Sequence, residues 1–156
     1  MKCTSVPLAF DYPSDPRAVH TQDQLLLGDG CMIAPVYEQN AAGRYVYLPE
    51  DMLMVRFRSG TDYDLVPLEK GDHWIGLALS EFPLFVKKNR AVLLCPGGES
   101  SELLDDTRFT VIGQIGQESV YELYRDDGKT AVPSPDSGIT VIKLFPDQSL
   151  KRSIQC

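Results

Sequence analysis

DQLLLGDGCMIAPVYEQNAAGRYVYLP, running from Asp23 to Pro49, decides how the rest of the chain is read. Two apolar runs, Leu25–Leu27 and Cys31–Val36, are separated by Gly28-Asp29-Gly30, and a polar turn from Glu38 to Gly43 leads into a third run, Tyr45–Leu48. Apolar runs this short, bounded by Gly, Asp, Asn and Pro, are strands, because Gly and Asn supply the backbone angles that a tight reversal needs. Pro35 lies inside the middle run and has no N–H to give a ladder. That strand is therefore expected to be an edge, or to be bulged or broken there. The pattern by itself predicts a β meander.

The same punctuation continues on both sides. Upstream, Val6–Phe10 is a short apolar segment, and Asp11-Tyr12-Pro13-Ser14-Asp15-Pro16 is a turn-rich link before one helical turn at Arg17–His20. Downstream, strands are expected at Met52–Phe57, Tyr63–Leu68, His73–Leu79, Phe82–Val86 and Ala91–Leu94. Short strands about ten residues apart with a turn signal between each predict an all-β sandwich. Pro96-Gly97-Gly98-Glu99-Ser100-Ser101 is small and polar and reads as a linker. Beyond it, Phe109–Ile112 and Ser119–Tyr124 are expected to form a hairpin, Ile139–Phe145 one more strand, and Asp147–Cys156 a polar tail.

At 156 residues the chain suits one domain or two small ones. A net charge of −7 argues against binding nucleic acid or an anionic membrane, both of which select basic patches. No apolar run approaches the roughly 20 residues that span a bilayer. The N-terminal MKCTSVPLAF has too short an apolar core for a secretory signal, so a cytoplasmic location is expected. Cys3, Cys31, Cys95 and Cys156 are widely spaced, fit no zinc pattern, and are expected to be reduced thiols.

Several residues also carry a resemblance. Asp23, Gln24, Gly28, Ala34, Pro35 and Val36 fit a D-Q-x-x-x-G-x-x-x-x-x-A-P-V run, and Tyr47, Leu48 and Pro49 a following Y-L-P strand. Pro7, Leu8, Tyr12 and Pro13 fit a P-L-x-x-x-(F/Y)-P segment upstream, and Glu81–Val86 contains P-L-F-V. Tyr124 with Asp126, Asp127 and Gly128 fits Y-x-D-D-G. In this the chain resembles glycoside hydrolase family 31, the α-glucosidase and α-xylosidase family, where the catalytic barrel ends and C-terminal β-sandwiches begin. The resemblance implies a proximal sandwich over residues 1–95 and a partial distal one over 96–156. It also implies a support role beside a catalytic barrel that the chain does not contain.

Retaining hydrolysis of an α-glycoside needs two carboxylates about 5–5.5 Å apart. The family's nucleophile lies in a W-x-D-M-N-E type motif, whereas the single tryptophan here, Trp74, is followed by Ile75-Gly76. No catalytic residue can be carried over, and the chain by itself is expected to be inactive. Adjacent carboxylates such as Asp105-Asp106 and Asp126-Asp127 point to opposite faces of a strand or meet water in a turn. Asp126-Asp127-Gly128 offers too few oxygen ligands for calcium. His20 and His73 sit beside no nucleophile, and Gly97-Gly98 lacks the Lys-Ser/Thr of a phosphate loop. The sequence thus assigns no catalytic residue, cofactor or metal ligand.

Tyr45 and Tyr47 share a strand face by alternation, and Trp74 is a candidate to join them. The resemblance puts Tyr47 in a packed strand; the sharper alternative is a sugar-stacking face and hence a stand-alone carbohydrate-binding module. The expected partners are the catalytic barrel, carbohydrate, or a second copy meeting an orphaned face formed by Pro7–Phe10 and Leu25–Leu27.

Overall fold

A computed structural model describes residues 5–60, 62–78, 80–96, 107–125, 138–146 and 150–155. The strands are β1 (Ser5–Pro7), β2 (Leu25–Leu27), β3 (Cys31–Ile33), β4 (Gly43–Leu48), β5 (Met52–Phe57), β6 (Tyr63–Leu68) and β7 (Gly71–Gly76). They continue with β8 (Phe82–Lys87), β9 (Ala91–Leu94), β10 (Arg108–Gly113), β11 (Ser119–Arg125), β12 (Gly138–Leu144) and β13 (Lys151–Gln155). A 3₁₀ turn at Leu8–Phe10 and the short helix α1 (Pro16–His20) interrupt the first hairpin. Asp15 caps α1 by accepting from the backbone N–H groups of Arg17 and Ala18.

The strands build an antiparallel sandwich from four sheets. A six-stranded sheet has the order β1-β2-β3-β8-β5-β6, and the pair β4-β7, the triple β13-β10-β9 and the pair β11-β12 form the others. Alternation along each strand then assigns side chains to layers. Met52 and Met54 of β5, Met32, Phe85 and Leu26 join Val46, Leu48 and Ile75 in a core between the six-stranded sheet and β4-β7. The alternate residues Leu53, Val55 and Val86 point the other way, against Val92 of β9 and Ile112 of β10. A third core, with Ala91, Val111, Ile142 and Leu144, lies between β9-β10 and β11-β12. The six-stranded sheet is therefore covered on both faces at its centre. This explains why β5 begins with four consecutive buried residues instead of alternating.

The decisive stretch is not one meander. β2 and β3 do form a hairpin, with Gly28 at φ 59 in its turn, but β4 leaves that sheet to pair with β7. β3 stops at Ile33, so the break that Pro35 predicts is what occurs. The β3–β8 ladder runs only from Cys31↔Val86 to Ile33↔Leu84. Pro35 therefore falls where that ladder has ended and its missing N–H costs no bond there, whereas Pro83 lies beyond that ladder but within β8, opposite Arg56 of β5. The expected hairpin of the two strands after the linker is corrected: β10 pairs with β9 and β13, while β11 pairs with β12. The polar tail also contains a strand, β13, that closes the three-stranded sheet. Leu8 and Leu26, expected on an orphaned face, are fully buried in the first core, whereas Pro7, Leu27 and Phe10, the last at 71% exposure, point outward.

Candidate functional site

The acidic doublets Asp105-Asp106 and Asp126-Asp127, the Gly97-Gly98 pair, and Cys3 and Cys156 lie outside the described residues. His20 and His73 are described. Nδ1–H of His20 donates to the Pro16 carbonyl at 2.6 Å, and Nε2–H of His73 donates to the Glu69 carbonyl at 2.7 Å. Each ring is engaged with the main chain a few residues away, an arrangement that orders a turn.

Two charged clusters have a structural explanation. Lys87 is buried, places its ammonium 2.8 Å from the Asp11 carboxylate and 5.0 Å from the centre of the Tyr12 ring, and so ties β8 to the segment before α1. Burial, and then the nearby Glu50 carboxylate, pushes the Tyr12 hydroxyl above its ordinary range. Arg58 grips Asp62 at 2.9 Å and also pairs with Asp64, closing the β5–β6 turn. Those bonds hold both carboxyls below the usual carboxylate range. Among the described residues, no three metal-ligating side chains converge.

What remains is the outer face of the β4-β7 pair. Tyr45 and Trp74 stand directly opposite one another in the ladder, with ring centroids 5.0 Å apart and planes inclined at 67°. They are 68% and 56% exposed. Tyr47 is on the same strand face but is covered: Arg17 of α1 lies over its ring at 5.8 Å, and its hydroxyl donates to Asp15 at 2.6 Å. Burial first, then the Asp15 carboxylate, pushes the Tyr47 hydroxyl up to about 12, and that hydrogen bond in turn depresses Asp15. Trp74 thus joins Tyr45, and Tyr47 does not.

The two rings border a cleft of about 440 Å³ whose remaining walls include Asp23, Tyr37, Glu38, Gly43 and Arg44. Sequence reasoning passed over Tyr37 and Arg44. Arg44 looks like an ordinary strand cation, yet its side chain is only 10% exposed. Its Nε–H donates to the Tyr45 carbonyl at 3.1 Å, and Nη1 donates to the carbonyls of Pro35 at 2.6 Å and Asp23 at 3.2 Å. Nη2 pairs with the Asp23 carboxylate. Its guanidinium also lies 5.5 Å from the centre of the Tyr37 ring. Gly43 is required beneath the cleft: at φ 152 any Cβ would fall 2.3 Å from the Ile75 carbonyl oxygen.

Comparison with known proteins places this architecture. The glycosyl hydrolase family 31 C-terminal domain matches residues 3–92. α-Glucosidase 2 from Bacillus thermoamyloliquefaciens is 32% identical over 126 residues, covering 80% of this chain and 15% of that enzyme. The crystal structure of a family 31 α-xylosidase from Xanthomonas citri superposes with a TM-score of 0.64 at 30% identity, covering 80% of this chain and 13% of that one. The cycloalternan-forming enzyme from Listeria monocytogenes, at 19% identity, shares the fold with a TM-score of 0.71 over 94% of this chain and 13% of its own.

Proposed function

Because the chain belongs to glycosyl hydrolase family 31, through that family's C-terminal domain, we propose that it supports a catalytic barrel of the α-glucosidase type. The observation that carries this is the match itself. It covers the β-sandwich of far longer enzymes, and the chain spans 15% of the length of the α-glucosidase it resembles. The described residues contain the strands of the accessory domain and no barrel. A layered sandwich of this kind presents a rigid wall against which barrel loops are held. Hydrolysis of an α-glycosidic bond then belongs to the barrel. The test is turnover of an aryl α-glucoside by the purified chain, with none expected. Activity that survives repurification and disappears on substituting one aspartate would overturn the reading.

Two finer readings go with this one. Cys31 and Cys95 are free thiols, which suits a reducing compartment and a cytoplasmic location. Phe10, Val19 and Leu27 are exposed apolar side chains, and where no barrel covers them they offer a surface for self-association. Light scattering on the chain and on a Phe10→Lys variant tests this; a monomer at all concentrations would remove it. A second functional reading, a carbohydrate-binding module, is favoured by the solvent-facing pair Tyr45 and Trp74.

A further inference from the structure

The corner made by Tyr45 and Trp74 has a chemistry that narrows what it can hold. Rings that meet at 67° do not stack on each other, so flat aromatic surface remains open to solvent. A ring face is the negative pole of its quadrupole and attracts either a cation or polarised C–H bonds.

Charge decides against two ligand classes. Arg44 is the cation that lines the cleft, and four of its five N–H donors are taken by Asp23, Pro35 and Tyr45. Its charge is paired with that of Asp23 and does not select an anionic ligand, while the Glu38 carboxylate leaves the rim net negative. A cation is disfavoured by the arrangement of the rings. Tyr45 and Trp74 are already in contact at 5.0 Å, and Tyr37 has the Arg44 guanidinium over it at 5.5 Å, so the three rings form no open cage. The ligand that fits is neutral, with one C–H-lined face for the rings and hydroxyl donors for the carboxylates on the rim.

We propose that the Tyr45–Trp74 corner binds a neutral pyranoside, stacked on the exposed rings with its hydroxyls turned toward Glu38 and Asp23. The Arg44–Asp23 pair is then a positioning device: it fixes the strand that carries Tyr45 and removes the positive charge that would select acidic sugars. This rests on the carbohydrate-binding reading and names its ligand class and its place in the fold.

Trp74 is the only tryptophan of the chain, so its fluorescence reports on this corner directly. The full chain is titrated with maltose, isomaltose and xylose. A saturable change in Trp74 emission is expected, with a dissociation constant on the order of 1–10 mM, as suits a shallow cleft. Tyr45→Ala, which keeps the reporter, should weaken binding about three- to tenfold. Trp74→Phe, which shrinks the stacking face, should likewise weaken binding in calorimetry, and the urea midpoint of each variant serves as the control for folding. Glucuronate or tetramethylammonium binding at least as well as maltose would overturn the proposal. Amide chemical shifts separate it from the reading beneath it. Sugar-induced shifts confined to another surface and unchanged by Tyr45→Ala overturn the corner alone. No shift anywhere at about 100 mM sugar removes the carbohydrate reading as well.

Discussion

The carboxamide of Gln24 pairs with both main-chain groups of Tyr47. Nε2 donates to the Tyr47 carbonyl at 2.7 Å, and Oε1 accepts the Tyr47 N–H at 2.8 Å. Gln24 is 2% exposed and immediately precedes β2, whereas Tyr47 is in β4 of the facing sheet. One side chain thus serves as the missing neighbour strand at the free edge of β4. Next to it, Asp23 holds Arg44 of the same strand. The two motif residues, Asp and Gln, are a clamp between layers.

Gln24→Leu is expected to leave a buried N–H and a buried carbonyl unpaired, lowering stability by about 2–4 kcal/mol in urea unfolding. Gln24→Glu keeps the acceptor but buries a carboxylate. Its pKa in the folded state must rise above the unfolded value near about 4.3, so its deficit relative to the parent chain should shrink on acidification toward that pH. An equal deficit at pH 7 and pH 4 would show that the clamp does not sense the side chain's charge.

Leu53, Val55 and Val86 are covered by Val92 and Ile112. A chain ending at Pro96 loses β10 and β13, leaving those side chains on a half-open face. It should bind a hydrophobic dye and unfold at lower urea than the full chain, each fully exposed Leu or Val costing about 1.5–3 kcal/mol. Unchanged unfolding would show that the six-stranded sheet is indifferent to its outer cover.

Much of this fold could be read from the residues, for a physical reason. Between Tyr45 and Leu94 the apolar runs alternate or fill completely and are cut by Gly, Asp and Asn, and the observed strands follow them within a few residues. β13 was invisible because Lys151-Arg152-Ser153-Ile154-Gln155 has a single apolar residue; its signal is the ladder with β10, a long-range property. The pairing of β10 also failed to follow its nearest neighbour in sequence, since local pattern says where a strand is and not which edge it joins. In the cleft, the exposed aromatics could be listed from sequence. The resemblance already sets Tyr47 apart in a packed strand; the structure adds its roof under α1 and reveals Arg44 as a pin bonded to Asp23, Pro35 and Tyr45.

Acid should loosen the chain at defined places. Asp15 is depressed chiefly by the Tyr47 hydroxyl, and Asp62 and Asp64 by Arg58. Folded-state values below the unfolded value near about 3.9 mean stability that is present above that pH and lost as pH falls through the folded values. The urea midpoint should therefore fall below about pH 4, and Tyr47→Phe should flatten part of that slope. A midpoint independent of pH down to about 2 would contradict the assignment.

Thiol reactivity should differ between the two described cysteines. Burial first, and then Asp29, raises the Cys31 thiol to about 11, whereas Cys95 is exposed. Peptide mapping after brief iodoacetamide treatment at pH 8 should find Cys95 modified and Cys31 protected, because the thiolate is the nucleophile. Since the Cys31 value is raised, its contribution to stability is complete below the unfolded thiol value and fades as pH rises toward about 11. Equal labelling at both sites would show that Cys31 is accessible.

The strand order gives β8 a special place in time as well as in space. It lies between β3 and β5, partners separated from it by some fifty and thirty residues, whereas β2–β3 and β5–β6 are local hairpins. Hairpins close in about 1–10 μs, but contacts this distant in sequence slow folding toward milliseconds or seconds. The hairpins are thus available early as two separate leaves, and the six-stranded sheet exists only once β8 has slid between them. Its amides should be the last to gain protection in pulsed hydrogen exchange, and until then both leaves present raw edges to any other chain in solution.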